Sequence, residues 1–439
     1  MATEIWTAED FNNIRHNVSE SFGPNNNNRH ILGNYIQMAD IDLSGFGNWI
    51  PLGEYYAHQE GVANYFSASY DGNGYKITGL TSINPIGSSS SASPLRPSLF
   101  GDLTSHGGPI VIKNLTVENA VIKVTNYEFS IDSNTGVIAG VGWWDEITFE
   151  NCHVLNAEVE NTGGIPAHIG GIVGWNGGEI NNCTVKNTTI TVGEEAAYIG
   201  LITGFCYGIH RCYAEGAIIS YNGGSQIGGL CGSLYGWKEG MTGSATECYA
   251  NVDITITHPS ELVWSNWAVG GLFGTHFNSA GKKIKNCYAR GSITGGVYAV
   301  GGLVGVIDEG SEVIENCYAA VEVSGTDGVG GLLGYNYSES DVTLNCYYDS
   351  EVSGQSDTGK GVPKTTAEIK NINTYLPEWD FSTIWAISPT VNDGYPFFGS
   401  ASLYNIFTKI QGMWTSIVGV WAKINGEWKE VDIEDFLNP

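Results

Sequence analysis

A short glycine motif recurs along this chain at a spacing that leaves few folds open to it. It reads IGGIVG at Ile169–Gly174, IGLITG at Ile199–Gly204, IGGLCG at Ile227–Gly232, VGGLFG at Val269–Gly274, VGGLVG at Val300–Gly305 and VGGLLG at Val329–Gly334. Weaker copies are Gly136–Gly140 and Leu99–Gly101. Each strong copy is followed by a second block, NCTV, RCY, ECY or NCY, that begins at Asn182, Arg211, Glu247, Asn286, Asn316 and Asn345. Asn151 opens the same block earlier in the chain. Cysteines 152, 183, 212, 248, 287, 317 and 346 are therefore 31, 29, 36, 39, 30 and 29 residues apart. A period of this size marks a stacked repeat architecture. Within each unit the short β-branched and aromatic runs are separated by Gly, Asn and Ser, with no helical period. Strands too short to bury a face alone must stack on their neighbours, coil upon coil, about 4.8 Å apart. The glycines permit tight turns, and the Leu or Ile between them is expected to point into the bore.

Composition supports this reading and narrows the partners. Sixty glycines, 42% hydrophobic residues and 15% charged residues in 439 positions describe a chain with ample core. The 46 acids against 19 Lys and Arg give a net charge of −27, which excludes a nucleic-acid partner and disfavours anionic membranes. No apolar run is long enough to span a bilayer, so membrane insertion is not expected. The first twenty residues lack a basic and then apolar leader. The chain is thus expected to leave its cell without one, as a virion part does, or else to be extracellular after loss of a signal peptide.

The ends read as caps. Thr7-Ala8-Glu9-Asp10 has capping-box spacing before Phe11 and Ile14, which predicts a short amphipathic helix over the first coil. Asp71-Gly72-Asn73-Gly74 reads as a turn. Thr365-Thr366-Ala367-Glu368 predicts a helix to about Thr374, stopped by Pro377, with Trp379, Phe381, Trp385 and Ile387 closing the sheet edge. Beyond it, Leu403, Ile406, Phe407, Ile410, Met413, Trp414 and Ile417 keep an i, i+3, i+4 rhythm that predicts an amphipathic helix. Val420 to Val431, with Trp421 and Trp428 around Asn425-Gly426, predicts a hairpin. The expected divisions are 1–97 (N-terminal cap and first coils), 98–355 (repeats), 356–399 (C-terminal cap) and 400–439 (helix and hairpin for attachment or assembly). Leu403, Ile406, Phe407, Ile410, Trp414, Ile417, Trp421 and Trp428 are the candidate assembly residues.

The GGLVG-plus-NCY unit resembles the GLUG-motif repeat of bacterial and viral surface proteins and adhesins. Ile36 to Leu43 and Phe66 to Gly74 look like that family's usual N-terminal segments. Asn345 to Ser356, Lys364 to Glu368 and Trp379-Asp380-Phe381 look like its C-terminal ones. The resemblance spans residues 1–399 and implies an all-β fold, a right-handed parallel β-helix (solenoid) of about 30-residue coils with helical caps. The hairpin at 420–431 is similar to segments of phage tail proteins. Three copies joining through such an end, a homotrimer, is the assembly this analogy suggests.

The chemistry-bearing residues are few. One cysteine per coil is explained by core packing, since Cys is a small hydrophobe, and the spacing lacks the paired ligands of a zinc site. No metal site and no cofactor is expected. Aromatic residues follow the glycine motif: Trp143, Trp144, Trp175, Tyr207, Tyr235, Trp237, His276, Phe277, Tyr335 and Tyr337. The two longest repeats add loops that carry His258, Trp264 and Trp267. With coils in register they predict one aromatic ridge along the solenoid, suited to stacking on sugar rings. The same rings would otherwise pack among themselves and shield turn backbones. Glu239, Glu247, Glu261, Asp308 and Glu309 lie near it, but no spacing selects an acid and its partner, so no catalytic residue is named. Asp40, Asp42 and Asp71 read as turn residues rather than calcium ligands. The expected function is non-enzymatic recognition or adhesion, as a tail-fibre or receptor-binding component on a virion. Its partners would be host-surface glycan or protein and other assembly proteins. The alternatives are a β-helical carbohydrate-active enzyme and a structural spacer or decoration protein.

Overall fold

The computed structural model describes residues 2–20, 29–53, 65–83, 96–105, 108–125, 132–143, 147–162, 165–193, 196–221, 224–236, 243–257, 268–277, 283–308, 313–338, 341–358 and 360–399, with four strands beyond. The chain divides into two compact units, Met1–Thr366 and Ala367–Pro439.

The first unit is a parallel β-solenoid. One coil shows the plan: strands Ile165–Ile169, Val173–Asn176, Glu179–Asn181 and Thr184–Val192 follow one another around the bore. Each pairs in parallel with its counterpart in the next coil, as His168 with Tyr198, Val173 with Thr203, Ile180 with Ile209 and Val185 with Ala214. Same-position residues therefore form columns. The inward columns are apolar: Ile172, Ile202, Leu230, Leu272, Leu303 and Leu332 are fully buried, as the motif's Leu or Ile should be. Its glycines are required by close approach of neighbouring coils. A Cβ on Gly232 would lie 2.5 Å from the Ile199 nitrogen and 2.7 Å from the Gly204 oxygen, and one on Gly271 2.2 Å from the Gly302 oxygen.

The second block of each unit also has a physical reason. Asn114, Asn151, Asn182, Arg211, Glu247, Asn286, Asn316 and Asn345 all adopt φ between 50° and 54°. Asn tolerates this left-handed conformation better than other residues with a side chain. Its amide also links coils: Asn151 donates to Asn114 at 2.9 Å, Asn182 to Asn151 at 3.1 Å and Asn345 to Asn316 at 3.3 Å. The cysteine that follows turns inward. The amides of Cys183, Cys212, Cys248 and Cys287 donate to the sulfur of the next coil at 3.3–3.5 Å. All nine cysteines are buried free thiols, and burial holds Cys206, Cys212, Cys248 and Cys317 well above the ordinary thiol range. The tyrosine that comes next stacks outside: Tyr213, Tyr249, Tyr288 and Tyr318 have ring centroids 4.8–5.0 Å apart.

The N-terminal cap forms as expected. Thr7 and Asp10 make a reciprocal capping box on the helix Ala8–Asn13. Phe11, fully buried, packs on Trp49, Tyr70 and Phe100 at 5.6–6.0 Å. In the turn before Lys76–Thr78, Asp71 accepts from the Asn73 amide at 2.8 Å.

The second unit departs from expectation in two places. The helix from Thr366 ends at Ile369, and a separate 3-10 turn, Ile372–Thr374, follows because extended Asn371 caps it with its own side chain. Tyr375, Trp379 and Trp385 form its buried aromatic cluster, and buried Tyr395 lies beneath the Lys370 ammonium at 4.4 Å. The amphipathic helix expected from Leu403 to Ile417 is overturned. Phe407–Ile410 and Met413–Ser416 are antiparallel strands, with Lys409 opposite Trp414. Phe, Thr, Ile and Trp favour strands, and Gly412 lies in sequence between the two, where a helix interior would be penalised. Leu403, Ile406 and Ile417 lie outside the described residues. The hairpin Val420–Ile424 with Glu427–Val431 forms as the Asn-Gly pair predicts, placing Trp421 opposite Glu430 and Lys423 opposite Trp428.

Candidate functional site

The aromatic residues after the motif lie on strands whose register is fixed, or, for Tyr207 and Tyr337, one residue past the strand end, so strand alternation sorts them. The first residue after the motif's last glycine begins one column: Val141, Trp175, Phe205, Ser233, Thr275, Val306 and Tyr335 are successive partners. The third residue after it takes the same face, giving Trp143, Tyr207, Tyr235, Phe277 and Tyr337. The second faces the bore. His276 is in that inward column, opposite Leu234 and Ile307, and is fully buried. It is not part of an outer ridge. Burial pushes its imidazole down to about 4, so it is neutral at pH 7.

Six rings on the outer face are continuous. Trp143 contacts Trp175 at 5.4 Å, Trp175 contacts Phe205 at 5.7 Å, Phe205 contacts Tyr235 at 5.6 Å and Tyr235 contacts Phe277 at 5.5 Å. Tyr207 stands edge-on to Phe205 and Trp175 at 88° and 85°. From the adjoining sheet, stacked His168 and Tyr198 meet Phe205 at 5.9 and 6.2 Å. Trp175 and Phe205 are near-parallel, at 12°. At their separation the rings are offset, and each covers only part of its neighbour's face. Trp143 is 37% exposed, and the other five are half-buried.

Trp143 is fixed from beneath. Its indole N–H donates to Asp102 at 2.8 Å, and Asp102, buried, pairs with buried Arg96 at 3.4 Å. An end ring held in one orientation loses little freedom on binding. The strip stops after Phe277, where the next coil presents Val306 and Asp308. Tyr335 and Tyr337, 37% and 42% exposed, form a separate cluster with Tyr298, with Lys360 above Tyr335 at 6.0 Å. The single expected ridge is thus two patches. Trp144, Trp237, Trp264 and Trp267 lie outside the described residues, as do His258, Glu239, Glu261 and Glu309.

Phe205 was absent from the expected ridge, yet it contacts both Trp175 and Tyr235, as Tyr207 also does edge-on. The period-two alternation of a strand, counted from Gly204, would have admitted Phe205 and rejected His276. Among the described residues, no group of three or more His, Cys, Asp or Glu is placed to hold a metal ion. Asp42 and Asp40 accept turn and strand amides from Ser44 and Lys76. No helix among the described residues is long and apolar enough to cross a membrane.

Comparison with known proteins places the repeat. The model of the GLUG motif matches residues 166–191, nearly the whole of one coil from the strand Ile165–Ile169 through the motif and into the long strand Thr184–Val192. A protein of Evansella cellulosilytica, provisionally named a Gly-rich membrane protein, is 33% identical over 132 residues, which are 29% of this chain. The match takes in only 11% of that protein's length. A crystal structure of a candidate immunoglobulin A1 protease from Bacteroides ovatus aligns over 90% of this chain and 92% of its own, at 18% identity and a TM-score of 0.41. So loose a likeness says nothing about function. The matched segment is one copy of a unit that recurs coil after coil, so the chain carries the GLUG motif within a repeat of the same pattern.

Proposed function

We propose that this chain is a non-enzymatic recognition protein that binds host-surface carbohydrate on the strip from Trp143 to Phe277. The observation that carries the reading is the continuity of six partly exposed rings over five coils, with the end ring anchored by Asp102. Sugars present apolar C–H faces that pack on such rings, and exposed aromatic patches of this extent mark interaction surfaces. Carriage on a virion tail or comparable particle is part of the proposal. Its support is the resemblance of the C-terminal hairpin to tail-protein segments. The terminal strands would then make the attachment, in one copy or three.

The test is a glycan-array and whole-cell binding assay of the purified chain beside Trp175→Ala, Phe205→Ala and Tyr235→Ala, with sugar release read in the same wells. Binding that falls at least tenfold in folded variants, without released product, is the expected result. Product release would instead make the chain a carbohydrate-active enzyme. Absence of binding by the unmodified chain would leave a structural spacer whose rings serve only packing.

A further inference from the structure

Five rings of the strip, Trp143, Trp175, Phe205, Tyr235 and Phe277, come one from each successive coil, with nearly uniform steps of 5.4, 5.7, 5.6 and 5.5 Å. Trp175–Phe205 and Tyr235–Phe277 are register partners on stacked parallel strands, whereas the Trp143–Trp175 and Phe205–Tyr235 steps cross between the two outward columns. The spacing bears on the ligand as well as on the scaffold. A pyranose unit in an extended, equatorially linked chain advances by about one such step. A single sugar would touch one or two of these rings, whereas an extended chain laid along the axis could place a unit at each.

The charges beside the strip point to the kind of chain. Arg96, which the structure places beneath the strip's first ring, is closed in a buried pair with Asp102. The coil that ends the strip presents the carboxylate Asp308. The chain as a whole carries −27. A polyanionic glycan would meet net repulsion from a chain of this charge.

Resting on the carbohydrate reading above, we infer that the strip's ligand is an uncharged, extended polysaccharide running parallel to the solenoid axis, one sugar per coil, over about five sugars. Trp143 then holds one end, and the Val306–Asp308 coil sets the other. The Tyr298–Tyr335–Tyr337 cluster lies beyond that interruption and is reached only by a longer chain.

The experiment titrates the full chain with cello-, xylo- and N-acetylchito-oligosaccharides from disaccharide to octasaccharide, with an oligogalacturonide series as the charged arm. For at least one uncharged series, affinity should rise roughly two- to tenfold per added sugar up to about the pentamer and then level off. Trp143→Ala should move the plateau one unit shorter. Asp308→Tyr, which places a ring between Phe277 and Tyr337, should move it at least one unit longer. Circular dichroism confirms that both variants are folded. Binding without length dependence, or a plateau that neither variant moves, would overturn the axial placement while leaving carbohydrate recognition intact. Oligogalacturonides binding as tightly as the uncharged series would overturn the charge argument. If cells or arrayed glycans bind but none of these uncharged series does, the extended-chain inference fails. If nothing binds at all, the carbohydrate reading itself fails.

Discussion

The column of left-handed residues offers a test in which the structure forecasts a gain. Asn114, Asn151 and Asn182 are linked by side-chain bonds, and Asn286, Asn316 and Asn345 resume the column, but Arg211 and Glu247 occupy the same backbone conformation between them. A residue with an ordinary side chain pays roughly 1–2 kcal/mol in this conformation, and Asn recovers part of that through local bonding. A new coil-to-coil amide bond, at solvent-accessible positions, adds about 0.5 kcal/mol at the low end of the usual range. Arg211→Asn and Glu247→Asn should therefore each stabilise the solenoid by about 1 kcal/mol, and the pair together by about 2 kcal/mol. Asn182→Ala should cost a similar amount, and Asn182→Gly, which restores the backbone preference without the amide, should recover about half of it. Urea unfolding read by circular dichroism gives the answer as a shift in midpoint at unchanged slope. A double variant with an unchanged or lowered midpoint, or a neutral Asn182→Ala, would refute the assignment of the Asn column to backbone conformation.

Other outcomes follow from single columns. Leu272→Ala, at a fully buried inward position, should cost about 2–5 kcal/mol in the same assay. Gly232→Ala should cost at least about 1–3 kcal/mol because its Cβ meets backbone atoms, whereas Gly45→Ala, with nothing within 4 Å, should stay within about 0.5 kcal/mol. His276 is held neutral, with its pKa lowered to about 4, so the unfolded chain takes up a proton that the folded one refuses. Its contribution to stability is therefore complete above about pH 6.5 and is lost as pH falls toward 4. His276→Leu, between Leu234 and Ile307, should remove that part of the acid sensitivity in unfolding curves taken from pH 7 to pH 4. The nine thiols should resist an aromatic disulfide reagent in the native protein and react together once it is unfolded. Rapid labelling of several thiols in the native chain would contradict the closed bore.

Much of the solenoid was legible because its constraints repeat. The spacing of Cys152 to Cys346 gave the coil length, and the Leu between glycines gave the bore, since both depend on a period that a single sequence displays. The role of the Asn before each Cys was not legible. Arg211 and Glu247 interrupt it, and a φ near 50° leaves no mark on composition. The aromatic surface was half legible. Proximity to the glycine motif found Trp143, Trp175, Tyr207 and Tyr235, but it ignored strand alternation, so it admitted His276 and passed over Phe205. The segment from Phe407 to Ser416 was misread because apolar spacing alone suits a helix. The strand preference of its residues and Gly412 outweighed that rhythm. Such conflicts between pattern and propensity arise where no repeat corrects them.

The central claim is that the strip from Trp143 to Phe277 is a carbohydrate surface. It is tested most directly by a crystal structure of the chain with the uncharged oligosaccharide that binds it most tightly. The account predicts intact sugar rings lying over Trp143, Trp175, Phe205 and Tyr235, in line with the solenoid axis. Sugar bound elsewhere, a cleaved sugar, or a strip left bare at saturating ligand would contradict it.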